Sequence, residues 1–444
     1  MAGLQYFKTD GIRGKVGKSP MTPDFLLKLG KAIGIVLGKK KEQKIIIGRD
    51  TRVSGLMLQS ILEFGVLSTG ISTLLVDCIP TPAIAYLTKF FNASAGVVIS
   101  GSHNLFDDNG IKIFDKNGIK LTKQIEHNIE QHINNVRLYY HAKNFGFSSR
   151  IHNPEMQYIN FCKKIYPNDF RLSKFTIILD CANGATYQIA PKIFQDLGAK
   201  VITLAISPNG ININNNSGST NVAYLKKKVL LEKADIGLAL DGDGDRIIMI
   251  DHLGHIINGD HIIYIIAQEY LQQKKNIGGV VGTSMTNMGI ILGLKKLGIP
   301  FYTSEIGDRN IYQTMLKNRC ILGAEPSGHI ILSDQNSTGD GIIASLQILS
   351  IMMNNKKTLY ELSRKIKFFP QILINIPCKK EINLDKNTKI QTIISKYKKF
   401  LGKKSRILVR QSGTELYVRV MVEGENYSQV SKAAHHIAET IKLL

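Results

Sequence analysis

Short apolar runs, each ended by a polar or glycine-bearing turn, alternate along most of this chain with longer stretches of helical spacing. Lys44-Ile45-Ile46-Ile47-Gly48 reads as a buried strand, Arg49-Asp50-Thr51-Arg52 as the loop after it, and Ser54 to Gly65 as a helix. Gly96-Val97-Val98-Ile99 is a second strand. The rhythm restarts at Phe175-Thr176-Ile177-Ile178-Leu179-Asp180, and again at Gly279-Val280-Val281-Gly282-Thr283. Such alternation predicts α/β layers with largely parallel sheets. From about Phe369 the pattern changes. Ile372 to Ile376, Arg406 to Val409 and Leu416 to Glu423 read as strands, and Val430 to Leu443 as an amphipathic closing helix. The expected fold class is α/β: three similar mixed α/β domains over 1–154, 155–255 and 256–368, then a smaller α+β domain over 369–444. No low-complexity linker separates them, so tight packing is expected.

With 444 residues, 43% hydrophobic and 21% charged, the chain has the composition of a multidomain globular protein. No apolar run reaches the ~18 residues that span a bilayer, and the first residues lack the basic-then-apolar order of a secretory signal. The expectation is a cytoplasmic protein with no membrane partner. Cys78, Cys162, Cys181, Cys320 and Cys378 form no Cys-x-x-Cys pair, and the apolar runs around Cys78, Cys181 and Cys320 point to buried thiols. The net charge of +22 raises nucleic-acid binding as a rival class. Its lysines are dispersed and lack aromatic interleaving, and the chain is rich in Ile, Asn and Lys, as in genomes drifting toward A and T. The reading is no nucleic acid, with a positive field that favours anionic substrates.

Four polar loops carry the candidate chemistry. Asp241-Gly242-Asp243-Gly244-Asp245 follows the strand-like Ile236 to Leu240, and its two glycines let three carboxylates converge. Hard oxygen donors with net negative charge suit Mg²⁺, and without a cation they would repel one another. An aspartyl nucleophile would want a threonine where Gly244 stands. Ile99-Ser100-Gly101-Ser102-His103-Asn104 displays a serine after a strand, with His103 and Lys112 as cationic or proton-transferring neighbours. Ser102 is expected to be exposed and to carry a phosphoryl group, because a serine hydroxyl needs a base or charge stabilisation to act as nucleophile. Glu325 and Ser327, in Glu325-Pro326-Ser327-Gly328-His329, can hydrogen-bond adjacent sugar hydroxyls. Arg410, Ser412, Gly413 and Thr414 offer a cation, hydroxyls and backbone N–H groups as a phosphate nest, and Arg419 adds a second fork.

These loops in this order resemble the α-D-phosphohexomutase superfamily, most closely its bacterial amino-sugar branch. The resemblance runs from Thr9-Asp10-Gly11-Ile12-Arg13-Gly14, through Gly48-Arg49-Asp50-Thr51-Arg52, Asn212-Ile213-Asn214 and Ile306-Gly307-Asp308-Arg309, to Val420-Met421-Val422-Glu423-Gly424. It implies four domains around a central cleft and interconversion of glucosamine 6-phosphate and glucosamine 1-phosphate for UDP-N-acetylglucosamine and cell-wall synthesis. It further implies that Ser102 is a phosphoserine and joins Asp241, Asp243 and Asp245 around one Mg²⁺ per chain. Arg246 and Lys112 would stabilise the phosphoryl group, Arg13 or His329 would assist proton movement, and Arg410, Ser412, Gly413, Thr414 and Arg419 would hold the other phosphate. The expected partner is a small sugar phosphate, and the chain a monomer or homodimer. Phosphomannomutase or phosphoglucomutase activity is the alternative, since Pro326 replaces a glutamine of the family's sugar loop.

Overall fold

The computed structural model describes residues 4–38, 44–135, 144–378, 384, 387–411 and 417–442. The chain falls into two compact units, residues 1–284 with 302–363, and residues 285–301 with 364–444.

The first unit holds three sheets. The largest runs Ile12–Lys15, Asp108–Asp115, Ala95–Ile99, Lys44–Arg49, Ser72–Cys78, Ser148–Arg150. The second runs Ile256–Ile257, Ile247–Asp251, Ile236–Leu240, Thr176–Asp180, Lys200–Leu204. The third runs Phe301–Ser304, Val280–Thr283, Leu322–Ala324, Ile330–Leu332. Ala95–Ile99, Ile236–Leu240 and Ile247–Asp251 are buried at every position. They lie within layered sheets covered on both faces, which is why they read as continuous apolar runs. Helices Pro23–Leu37, Val53–Leu67 and Lys123–Asn135 supply Leu26, Leu29, Leu62 and Ile129 to the core beside the first sheet.

The expectation of largely parallel sheets needs correcting. Each of these sheets is mixed, and the same local change produces the antiparallel part. Ala95–Ile99 lies parallel to Lys44–Arg49, whereas Asp108–Asp115 returns antiparallel to it. Ile236–Leu240 with Ile247–Asp251, and Leu322–Ala324 with Ile330–Leu332, repeat this pattern. The connections, residues 100–107, 241–246 and 325–329, are the polar loops singled out above. They are too short for the crossover of a dozen or more residues that a parallel return requires. Each of these three loops is thus the tip of an antiparallel pair of largely buried strands.

The second unit is built on three antiparallel strands in the order Gln371–Pro377, Tyr417–Gly424, Ser405–Gln411, with helices Thr388–Leu401 and Tyr427–Lys442. Ile376, Ile394, Val420, Val422, Ala434 and Ile437 form its core. Helix Met288–Lys296 belongs to the same unit: Met288 N–H donates to Glu423 Oε1 (2.9 Å) and Asn287 Nδ2 to the Phe369 carbonyl (3.0 Å). Among the described residues no helix is long and apolar enough to cross a membrane. All five cysteines are free thiols; Cys162, Cys181 and Cys320 are buried, while Cys78 and Cys378 are half-buried.

Candidate active site

Buried strand Ile236–Leu240 delivers Asp241 to its end, and the two glycines do what the loop requires. Gly244 takes φ +73°, and a Cβ on Gly242 would lie 2.6 Å from the Ser102 carbonyl oxygen. One carboxylate oxygen each from Asp241, Asp243 and Asp245 comes within 4.8 Å of the other two. All three side chains are buried. Thr81 orients Asp243, its hydroxyl donating to Oδ2 (2.5 Å) and its amide to the backbone carbonyl (2.9 Å). Lys112 faces the cluster from strand Asp108–Asp115, with Nζ 2.7 Å from Oδ2 of both Asp243 and Asp245. Burial works against its charge, but Asp10, Asp243 and Asp245 hold the Lys112 pKa well above the usual value. Asp241 lies outside these contacts; burial and the two neighbouring carboxylates push its pKa well up. Oδ1 of Asp243 and Oδ1 of Asp245 are buried with no hydrogen-bond partner among the described residues. Three convergent hard donors, two of them with orphaned oxygens, fit a metal ion.

Ser102 Oγ donates to Asp241 Oδ2 at 2.9 Å. The serine is 0% exposed, not displayed as the sequence suggests. The aspartate loop closes over it, and its backbone takes φ +52°. Its amide donates to Ser100 Oγ (2.9 Å), and Ser100 Oγ donates to Asp50 Oδ2 (2.6 Å). For His103, burial, reinforced by the Arg246 and Arg13 cations, pushes the pKa down to about 3, which disfavours the cationic of the two expected roles and leaves the proton-transferring one.

The remaining first-unit candidates surround this pair of loops. Arg13 Nη1 donates to the Gly101 carbonyl (3.0 Å), and its guanidinium pairs with Asp10. The Arg246 amide donates to Asp241 Oδ1 (3.2 Å), and its Nε lies 4.0 Å from Asp245 Oδ1. His329 bridges to Arg246 through the backbone and stands between Asp245 and Asp308, its ring nitrogens 3.8 Å from each carboxylate. Burial opposes its charging, yet Asp245, Asp308 and Glu325 together raise its pKa. Glu325 Oε1 accepts from the Gly307 amide (3.1 Å), and Ser327 is exposed at the loop tip.

In the second unit Arg410 and Arg419 stand directly opposite on paired strands. Burial and the Arg419 charge lower the Arg410 pKa. With Met285, Leu373, Leu408 and Met421 they line a cavity of about 30 Å³, and among the described residues neither side chain has an ion pair. Like charges held face to face are unfavourable without an anion between them. Ser412, Gly413 and Thr414 lie outside the described residues.

The sequence reading left several neighbours without roles: Asp10, Asp50, Arg52, Thr81, Lys120, Asn214 and Asp308. Lys120 pairs with both Asp10 and Asp308, linking Arg13 and His329 through buried charge. Asp50 and Arg52 carried a usable signal, being charged residues placed directly after an apolar strand. Thr81 and Lys120 had none, because their partners are remote in sequence.

The chain matches the description "Phosphoglucomutase/phosphomannomutase, alpha/beta/alpha domain I" over residues 4–140, domain II over 156–254, domain III over 258–368, and the C-terminal domain over 373–440. It is 67% identical over 444 residues, covering 100% of both chains, to the phosphoglucosamine mutase of Buchnera aphidicola subsp. Acyrthosiphon pisum (strain Tuc7). It is 51% identical to that of Blochmanniella floridana, covering 100% of this chain and 98% of the relative. Among solved structures, a phosphoglucomutase/phosphomannomutase family protein from Burkholderia thailandensis superposes with TM-score 0.83 at 20% identity, covering 100% and 98% of the two chains. Aspergillus fumigatus N-acetylphosphoglucosamine mutase, solved with GlcNAc-6P and magnesium, gives 0.69 at 17% identity, covering 99% of this chain and 96% of that one.

Proposed function

The chain belongs to the phosphoglucomutase/phosphomannomutase family, and on that premise we propose that it interconverts glucosamine 6-phosphate and glucosamine 1-phosphate. The observation that carries this reading is Ser102 Oγ lying 2.9 Å from Asp241, in a carboxylate cluster that also holds Lys112. Relatives 49–67% identical over essentially the whole chain bear the name phosphoglucosamine mutase, which favours an amino sugar.

In this reading phosphorylated Ser102 is the resting donor. The free sugar hydroxyl attacks phosphorus, the P–Oγ bond breaks as the new P–O bond forms, and the hydroxyl proton ends on the released Ser102 Oγ, with His329 or Arg13 assisting its movement. The 1,6-bisphosphate then turns over and returns its other phosphate to Ser102. Lys112 and Arg246 stabilise charge spreading over the phosphoryl oxygens. Glu325 and Ser327 read the sugar, while Arg410 and Arg419, with Ser412, Gly413 and Thr414, grip the non-reacting phosphate. One Mg²⁺ per chain, held by Asp241, Asp243, Asp245 and the Ser102 phosphate, would supply positive charge against the transferred group. The same reading divides the chain at 154, 255 and 368, places the enzyme in the cytoplasm as monomer or homodimer, and has it feed UDP-N-acetylglucosamine synthesis.

The test is turnover of glucosamine, glucose and mannose 6-phosphates by protein phosphorylated on Ser102, beside Ser102→Ala. Preference for glucosamine 6-phosphate, and no turnover by the variant, are expected. Preference for glucose or mannose would assign the chain to the phosphoglucomutase/phosphomannomutase activities instead. Wild-type rates from Ser102→Ala would remove the phosphoserine mechanism.

A further inference from the structure

At φ +52° Ser102 occupies a region that residues with a side chain enter only when their surroundings hold them there. Two side chains do so. Arg52, fully buried, directs Nη2 to the carbonyl oxygens of Ser102 (3.3 Å) and Asn104 (2.5 Å), and Nε to that of Asp108 (2.8 Å). Asn214 donates from Nδ2 to the same two carbonyls, Ser102 (2.8 Å) and Asn104 (2.9 Å). The two donors come from different sheets. Arg52 follows strand Lys44–Arg49 of the first, and Asn214 lies between strand Lys200–Leu204 of the second and helix Ala223–Leu231.

Both donors are themselves fixed. Asp50 Oδ2 accepts from Arg52 Nη1 (2.5 Å), and Asp50 Oδ1 from the Arg52 amide (2.9 Å). The Asn214 amide donates to the Ala182 carbonyl (2.8 Å). Asp180 ties down the same loop by accepting from the Gly218 amide (2.9 Å). Among the described residues neither Arg52 nor Asn214 bonds to Ser102 Oγ, whose partner is Asp241. Their action falls on the peptide groups, and it sets the direction in which the hydroxyl leaves the chain. Freed of the clamp, Ser102 would relax toward negative φ and swing Cβ and Oγ away from the aspartates.

We propose that Arg52 and Asn214 are positioning residues, a two-armed carbonyl clamp that holds the Ser102 backbone left-handed and so aims Oγ at Asp241, Asp243 and Asp245. The clamp links the serine loop of the first sheet to the second, which carries the aspartate loop. The proposal rests on Ser102 being the phosphoryl carrier. It predicts a defect in transfer rather than in sugar binding, since misplacing a reacting atom by about an ångström costs up to about a hundredfold in rate.

The experiment uses full-length Arg52→Lys, Arg52→Ala, Asn214→Ala and the Arg52→Ala/Asn214→Ala double variant, each charged with glucose 1,6-bisphosphate. Mass spectrometry reads Ser102 phosphate, steady-state kinetics on glucosamine 6-phosphate read kcat and KM, and thermal unfolding reads stability. Expected is a tenfold to hundredfold loss of kcat in each single variant with KM within about twofold of wild type. The double variant should lose less than the product of the single losses, because both arms hold the same carbonyls. Millimolar guanidinium should restore part of the rate to Arg52→Ala and none to Asn214→Ala. Should Arg52→Ala not fold, Arg52→Lys and Asn214→Ala still decide. Wild-type kcat in those two, or a loss confined to KM, overturns the clamp. Wild-type protein that turns over without phosphate on Ser102 overturns the phosphoserine reading instead.

Discussion

Replacing Lys112 with methionine keeps the volume of a long side chain but removes the ammonium from among Asp10, Asp243 and Asp245, which lie 3.6, 2.7 and 2.7 Å from Nζ. All four groups are largely or fully buried. Removing one partner from a buried ion pair costs about 3–5 kcal/mol, because the remaining charge is left uncompensated. Metal-free Lys112→Met should therefore be less stable by about that amount. Lys112 contacts only the Oδ2 atoms, so the orphaned Oδ1 atoms stay available to a divalent cation in both proteins. In wild type the ammonium repels that cation; in the variant this nearest repulsion is gone, and Arg246, with Nε 4.0 Å from Asp245 Oδ1, remains in both proteins. Mg²⁺ should therefore bind at least about tenfold more tightly to the variant, worth about 1.4 kcal/mol, and stabilise it more than it stabilises wild type. Denaturant unfolding in excess EDTA and in saturating Mg²⁺ measures both effects, and calorimetry reads the affinity. Activity should still fall, since the proposed transfer uses the same ammonium. Equal Mg²⁺-induced stabilisation of the two proteins, or a variant as stable as wild type in EDTA, would refute the electrostatic account of this cluster.

Arg410→Ala removes one of two opposed guanidiniums, so stability should be unchanged or improved. The kcat/KM for the sugar phosphate should fall about ten- to a hundredfold, the worth of one charge-assisted contact, while hydrolysis of the seryl phosphate by water stays as in wild type. Asp180 has its pKa raised from 3.8 to about 6 by burial, against the Gly218 and Ala182 amides that lower it. The folded state therefore holds more protons between those values, and the stability this carboxyl contributes is full below pH 3.8 and lost as pH rises through about 6. Against Asp180→Asn, wild type should lose up to about 3 kcal/mol across that window, read from denaturant midpoints at a series of pH values. In Gly242→Ala the added methyl meets the Ser102 carbonyl at 2.6 Å. It should lower Ser102 phosphate occupancy and kcat with little change in KM, as judged by mass spectrometry and kinetics.

The architecture was readable in the sequence wherever the deciding forces are local. Buried strands such as Ala95–Ile99 and Ile236–Leu240 announce themselves as unbroken apolar runs, and Asp241, Asp243 and Asp245 lie close enough in the chain for their glycines to bring them together. The pattern was silent where the outcome depends on which distant groups meet. The antiparallel return after each polar loop alters strand direction without altering hydrophobicity, so apolar runs alone predicted parallel pairing. The grouping of residues 285–301 with 364–444 rests on partners such as Met288 and Glu423, far apart in the chain. Ser102 stands after an apolar strand, as an exposed serine would, yet it is buried because a loop more than a hundred residues away closes over it. Its left-handed backbone likewise depends on Arg52 and Asn214, whose donors reach the same two carbonyls only once two sheets are assembled. Local spacing determines periodicity, turns and the supply of charged groups. The direction of the serine hydroxyl and the neutral state of His103 are set by burial and by charges from other segments, and those exist only in the tertiary structure.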